Sequence, residues 1–196
     1  MSAVSIRCRR PFAASLALAV MLIAVLVPVV SARQARSAAS DVSILAAFLY
    51  NFARFTEWPK LPDGATLAAC VVGSDDVAKA LTGIVSGKQI GGHGLSVVRP
   101  TDSAAWGDCH MLYVADGITS RSAAGLAGIR QLPVLTASDA KGFSRSGGIA
   151  EFYLEKGQMR FVINLDAAER SGLRISSRLL GLATVVRDRD ARPNAP

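Results

Sequence analysis

The stretch "TLAACVVGSDDVAKALTGIVSG", Thr66 to Gly87, decides the fold class. From Leu67 to Val72 it is apolar without alternation. A strand with one wet face alternates, whereas an unbroken run suits a strand covered on both faces, as in a parallel sheet between helices. At Gly73 the pattern turns helical. Ser74 or Asp75 is the natural N-cap of a helix that Gly87 ends. Outward toward the C-terminus, "LSVVRP" (Leu95 to Pro100) is a strand stopped by proline. "CHMLYVAD" (Cys109 to Asp116) and "LPVLTAS" (Leu132 to Ser138) are two more buried strands, with a short helix predicted over Thr119 to Gly128. Then "GIAEFYLEKGQMRFVINL" (Gly148 to Leu165) forms two extended arms meeting at Lys156-Gly157, a hairpin signal. "SSRLLGLATVVR" (Ser176 to Arg187) is predicted to be a final helix. Its stripe of Leu179, Leu182, Ala183 and Val186 would face the sheet, with Arg178 in water. The expected architecture is α/β: a mixed β-sheet flanked by α-helices, with a C-terminal β-hairpin and a final helix.

Outward toward the N-terminus lies "AAFLYNFARFTEWP", Ala46 to Pro59. Asp41 is a natural cap, and Leu45, Phe48, Phe52 and Phe55 recur at helical spacing. Asn51, Arg54 and Glu57 mark the wetter side. Pro59 disfavours helical geometry at Trp58, so the helix is expected to stop there. A wide apolar face covers a sheet. Four large aromatics on one short helix exceed what a sheet face readily hides, which leaves room for a partner surface.

Residues 1–32 form a secretory signal peptide. Arg7, Arg9 and Arg10 precede the apolar run Phe12 to Val30, and Val30-Ser31-Ala32 has the small-residue form of a cleavage site. An uncleaved membrane anchor is the alternative. Residues 33–187 make one domain, and 188–196 a frayed tail. Three of the 22 basic residues and none of the 15 acidic ones lie in the signal, which leaves a net charge of +4. That charge is weak and scattered, and it argues against a nucleic-acid partner.

Cys8 leaves with the signal. Cys70 and Cys109 remain as the one pair in an oxidising compartment, which suggests a disulfide. A metal site built from Cys109, His110 and His93 is rejected, because no Cys-x-x-Cys pair exists and neighbours on a strand face opposite ways. "GIVSGKQ" (Gly83 to Gln89) is one residue short of a phosphate loop and follows a helix rather than a strand. Asp75 and Asp76 would repel a phosphate at the Gly73 turn, and they read as helix capping. Neither of the two histidines sits in a nucleophile-elbow context. The sequence offers no catalytic residue, no cofactor site and no metal site, so an exported enzyme is the weaker reading.

"AAFLYNFARFTEWP" resembles the opening signature of the YfiR family of exported bacterial proteins. "LTASDAKGFSRSGGIAEF" (Leu135 to Phe152) and "FVINLDAAERSGLRISSRLLGLATVVR" (Phe161 to Arg187) resemble its C-terminal half. Cys70 and Cys109 stand where that family tends to place a disulfide. Only one disulfide can form here, so relatives with a second pair have an anchor that this chain lacks. The resemblance implies a small periplasmic α/β protein, often dimeric, without known enzymatic activity. It implies binding to the periplasmic domain of a membrane signalling protein: a diguanylate cyclase whose cyclic di-GMP synthesis, and so biofilm formation, it represses, or else a histidine kinase. A homodimer and a small-molecule ligand, nucleotide or amino acid, stay open. Arg54, Trp58 and Arg178 are the candidate partner-binding residues. They combine arginine with aromatic surface on two helices expected to pack together.

Overall fold

The computed structural model describes residues 39–59 and 61–188, and its compact body starts at Val42. The predicted signal peptide, Cys8 and all of the predicted tail after Asp188 lie outside the described residues. A helix over 39–54 (α1) leads into β1 (Thr56–Glu57). Then come β2 (Leu67–Val72), α2 (Asp75–Val85), β3 (Gln89–Ile90) and β4 (His93–Val98). A 3₁₀ turn at Ser103–Asp108 precedes β5 (Met111–Val114), α3 (Asp116–Thr119), α4 (Ala123–Gly128) and β6 (Leu135–Ser138). The chain continues through β7 (Ala150–Glu155), β8 (Gln158–Asn164), α5 (Leu165–Arg170), β9 (Arg174–Ile175), α6 (Ser177–Leu180) and β10 (Thr184–Val186).

Eight strands form one sheet in the order β10-β8-β7-β6-β5-β2-β4-β3. The centre is parallel: β2 pairs with β4 and β5, β5 with β6, and β6 with β7. The hairpin β7-β8 is antiparallel, as the Lys156-Gly157 turn predicts; Lys156 sits at φ 50° and Gly157 at φ 76°. The α/β reading is thus borne out. Chain order reverses at β2, because the first crossover runs to β4 on one side and the next returns to β5 on the other. α2 covers the first face and the 3₁₀ turn, α3 and α4 cover the second, so the sheet is wound both ways.

The continuous apolar run of β2 reflects these two covers. Ala69 and Val71 pack with α1 and α2, whereas Cys70 joins Leu112, Val114 and Trp106 on the other face. Ser74 caps α2 as expected, its Oγ accepting from the Val77 amide at 3.3 Å. Cys70 and Cys109 form the expected disulfide, which ties β2 to the approach of β5. The aromatics of α1 find partners in the hairpin. Phe52 meets Phe152 and Phe161 edge-on at centroid distances of 4.8 and 5.0 Å, and Phe48 packs against the same two rings. Burying rings with such geometry contributes about 0.5–1.5 kcal/mol per pair beyond area.

Four expectations are corrected. α1 leaves helical geometry at Phe55 rather than at Trp58. Thr56 is buried, its Oγ1 donates back to the Phe52 carbonyl at 2.8 Å, and Thr56–Glu57 pair antiparallel with Arg174–Ile175. The strand partner therefore acts before the proline. The helix predicted over Thr119 to Gly128 is two short helices, broken at Ser120 to Ser122. The final helix is a single turn. Gly181 ends it, Leu182 is 76% exposed, and Thr184–Val186 run parallel to β8. β-branched Thr184, Val185 and Val186 suit a strand better than a helix. Asp188, assigned to the tail, is anchored: it accepts from Asn164 Nδ2 at 2.9 Å and pairs with Arg170.

Candidate functional site

β1 and β9 join the end of α1 to the start of α6. Thr56 pairs with Ile175, Glu57 with Arg174, and the Ser176 amide donates to the Phe55 carbonyl at 2.9 Å. Ser176 then caps α6, its Oγ accepting from the Arg178 amide. Two of the sequence-predicted residues, Arg54 and Arg178, thereby flank one backbone joint, and both are exposed. The Arg54 guanidinium lies 5.6 Å from the Phe55 ring centroid and 6.0 Å from that of Tyr50. It is a cation resting on aromatic surface. Trp58 lies four residues further on and half-buried. Its indole N–H donates to the His110 carbonyl at 3.0 Å, so one edge is fixed to the sheet while part of the ring meets solvent.

His110 is built into the sheet beneath Trp58. Its Nδ1 accepts from the Ala68 amide at 3.1 Å, and its own amide donates to the Ala68 carbonyl at 2.9 Å. Burial, then the neighbouring His93, lower its pKa from the ordinary 6.5. An accepting Nδ1 requires the neutral imidazole with its proton on Nε2.

A second concave region lies one strand beyond β5. Parallel strands are usually joined by a helical crossover, but β6 and β7 are joined by a loop of turns over 139–149. Glu151, an acid at a dry strand position and only 8% exposed, holds this loop. Its carboxylate accepts from the Gly142 amide (2.9 Å), the Ser144 amide (3.1 Å) and Ser144 Oγ (2.7 Å). Asn164 Nδ2 donates to the Ser144 carbonyl, and Thr136 Oγ1 accepts from the Ile149 amide at 3.0 Å. Gly148 passes beneath the Phe143 ring so closely that a Cβ would lie 2.1 Å from a ring carbon. Between this loop, α3 and α4 is a cavity of about 370 Å³. Sequence reasoning did not single out its lining residues Arg130 and Lys141, nor Glu151. The one signal for Glu151 is an acid placed between Ala150 and Phe152 in the first, apolar part of its arm.

The reversal point between β2 and β5, where sheets wound both ways usually bind ligands, is closed. A Cβ on Gly73 would come within 2.6 Å of the Ile118 side chain, which fills that crevice. Asp139 accepts from the Asp116 amide at 2.8 Å and is the leading charge acting on the Tyr113 hydroxyl. Burial, followed by Asp139 and Asp116, raises the Tyr113 pKa far above the ordinary 10.0, so the phenol stays protonated. Among the described residues no group of three or more His, Cys, Asp or Glu is placed to hold a metal ion. No described helix is long and apolar enough to cross a membrane.

The profile of a protein family described as YfiR/HmsC-like matches residues 43–184. No curated protein matches the sequence significantly. Among solved structures, a conserved domain protein from Vibrio cholerae O1 biovar El Tor is similar at 17% identity and a TM-score of 0.44. That similarity covers 60% of this chain and 54% of the Vibrio protein, so the chain spans about half of its length.

Proposed function

The chain belongs to the YfiR/HmsC-like family, and on that premise we propose that it is a periplasmic regulator that binds the sensor domain of a membrane diguanylate cyclase and represses it. Export rests on the signal-like residues 1–32. Repression of cyclic di-GMP synthesis needs no chemistry in the regulator. A protein that prefers one conformation of a sensor shifts its equilibrium by the difference in affinity. The observation that supports a contact surface is the β1-β9 joint, with Arg54 and Arg178 exposed on either side of it and Trp58 nearby. Arginine and tryptophan are the residue types that most often anchor interfaces.

The test has two arms. Deleting the gene should raise cellular cyclic di-GMP, and restoring the wild-type gene should lower it; an unchanged level sinks the regulatory reading. Mature protein should also retain a membrane diguanylate cyclase from solubilised membranes, and Arg54→Ala, Trp58→Ala and Arg178→Ala should each be measured against it. Loss of an anchor is expected to weaken binding about tenfold or more. Three folded variants with full affinity would move the surface elsewhere. Retention of a histidine kinase in place of a cyclase would favour the second reading, a binding protein serving another receptor.

A further inference from the structure

The cavity between α3, α4 and the 139–149 loop has the composition of a ligand site rather than of a packing fault. Its volume of about 370 Å³ falls in the range of small-molecule pockets. Packing faults are apolar and dry, whereas this cavity mixes an apolar wall of Leu126, Phe143 and Ile149 with charged and hydroxyl groups. Arg130 and Lys141 both line it. Among the described residues neither is paired with a carboxylate; Arg130 Nη2 donates to the Ser146 carbonyl at 2.8 Å and has further N–H groups to offer. Thr119, Ser120 and Ser146 add hydroxyls. Asp116 is the one carboxylate in the lining, so the walls carry a net charge of +1.

The walls are set in advance. Glu151 fixes the loop through three hydrogen bonds, and Ile149 is held to Thr136. A preformed site loses little conformational entropy on binding. The absence of a crossover helix between β6 and β7 explains why the space exists at all, since a helix there would fill it.

We infer that this cavity binds a small amphipathic organic anion, with its carboxylate or phosphate ester on Arg130 and Lys141 and its apolar body against Leu126, Phe143 and Ile149. Two cations beside one carboxylate favour a headgroup of one or two charges over a polyanion, and Asp116 disfavours ligands whose charge is spread along their length. This inference is independent of which membrane protein the chain serves.

The experiment is calorimetric titration of the mature protein with benzoate, phenylacetate and phenyl phosphate, beside inorganic phosphate and benzylamine as controls. Carboxylates and the phosphate ester separate the two headgroups, and benzylamine tests the sign of the charge. The expected result is saturable binding of at least one organic anion, none of benzylamine, and a loss of about tenfold or more in Lys141→Ala. Arg130→Gln should weaken binding similarly. If that variant fails to fold because the loop loses its Ser146 bond, Lys141→Ala alone decides. Filling the space with Ala123→Trp should abolish binding. No binding by any of the organic anions, equal binding of benzylamine, or unchanged affinity in Lys141→Ala would each overturn the inference.

Discussion

Removing the Glu151 carboxylate leaves three donors of the 139–149 loop without an acceptor, two of them amides that cannot turn away. Glu151→Ala is therefore expected to cost about 3 kcal/mol in a urea titration. Glu151→Gln should cost less, because one amide oxygen still accepts. Gly148→Ala acts through volume instead: its methyl would overlap the Phe143 ring, and about 2 kcal/mol or more should be lost. A Gly148→Ala variant as stable as wild type would show that the loop yields there. His110 supplies a pH dependence. Its folded pKa lies below the ordinary 6.5, so the unfolded chain takes up the proton first as pH falls. The contribution is present above about pH 6.5 and is lost progressively below it. Between about pH 7.5 and 5.5, wild type should lose more unfolding free energy than His110→Gln, whose side-chain oxygen can still accept from Ala68. Equal losses would mean that His110 does not set the slope.

At the level of elements, legibility followed local strength of pattern. "TLAACVVG" announced a strand covered on both faces, and Lys156-Gly157 announced the hairpin, because each pattern arises within a few residues. "LATVVR" did not announce β10. Short apolar runs carry no decisive period, and the strand is specified by β8 lying beside it. The end of α1 is not specified locally either, since its terminating partner, β9, is remote in sequence. Arg130 and Lys141 carry no local signal of a shared cavity, as one precedes β6 and the other follows it. The exposed candidates Arg54 and Arg178 were legible as solvated charges, but the joint between them was not. β10 offers a direct check. Val186→Pro removes from the ladder an amide that the register turns toward β8, and should lower stability by about 3 kcal/mol if β10 is part of the cooperative fold. A helix at that position would also suffer, but circular dichroism would then lose helical signal, which β10 does not predict.

Across the whole molecule, a sheet wound both ways is closed at its reversal point and open one strand further, where a crossover lacks its helix. The disulfide crosses the second face of this sheet and closes a segment of 39 residues. Reduction should lower the melting temperature by an amount equivalent to about 4 kcal/mol in the chain-entropy model. An unchanged melting temperature after verified reduction would show that the sheet alone constrains that segment. The β1-β9 joint has a consequence for timing. Thr56 and Ile175 are 119 residues apart in sequence, and two residue pairs and the Ser176–Phe55 hydrogen bond hold the joint. Closing so long a loop for so few bonds is unfavourable until the intervening sheet exists. The joint should therefore form last and open first, so amides there should exchange with solvent ahead of those in β2 and β5. The partner surface proposed across it would be absent from a nascent, clipped or partly folded chain, and competence to bind would then report that the entire polypeptide has arrived and folded.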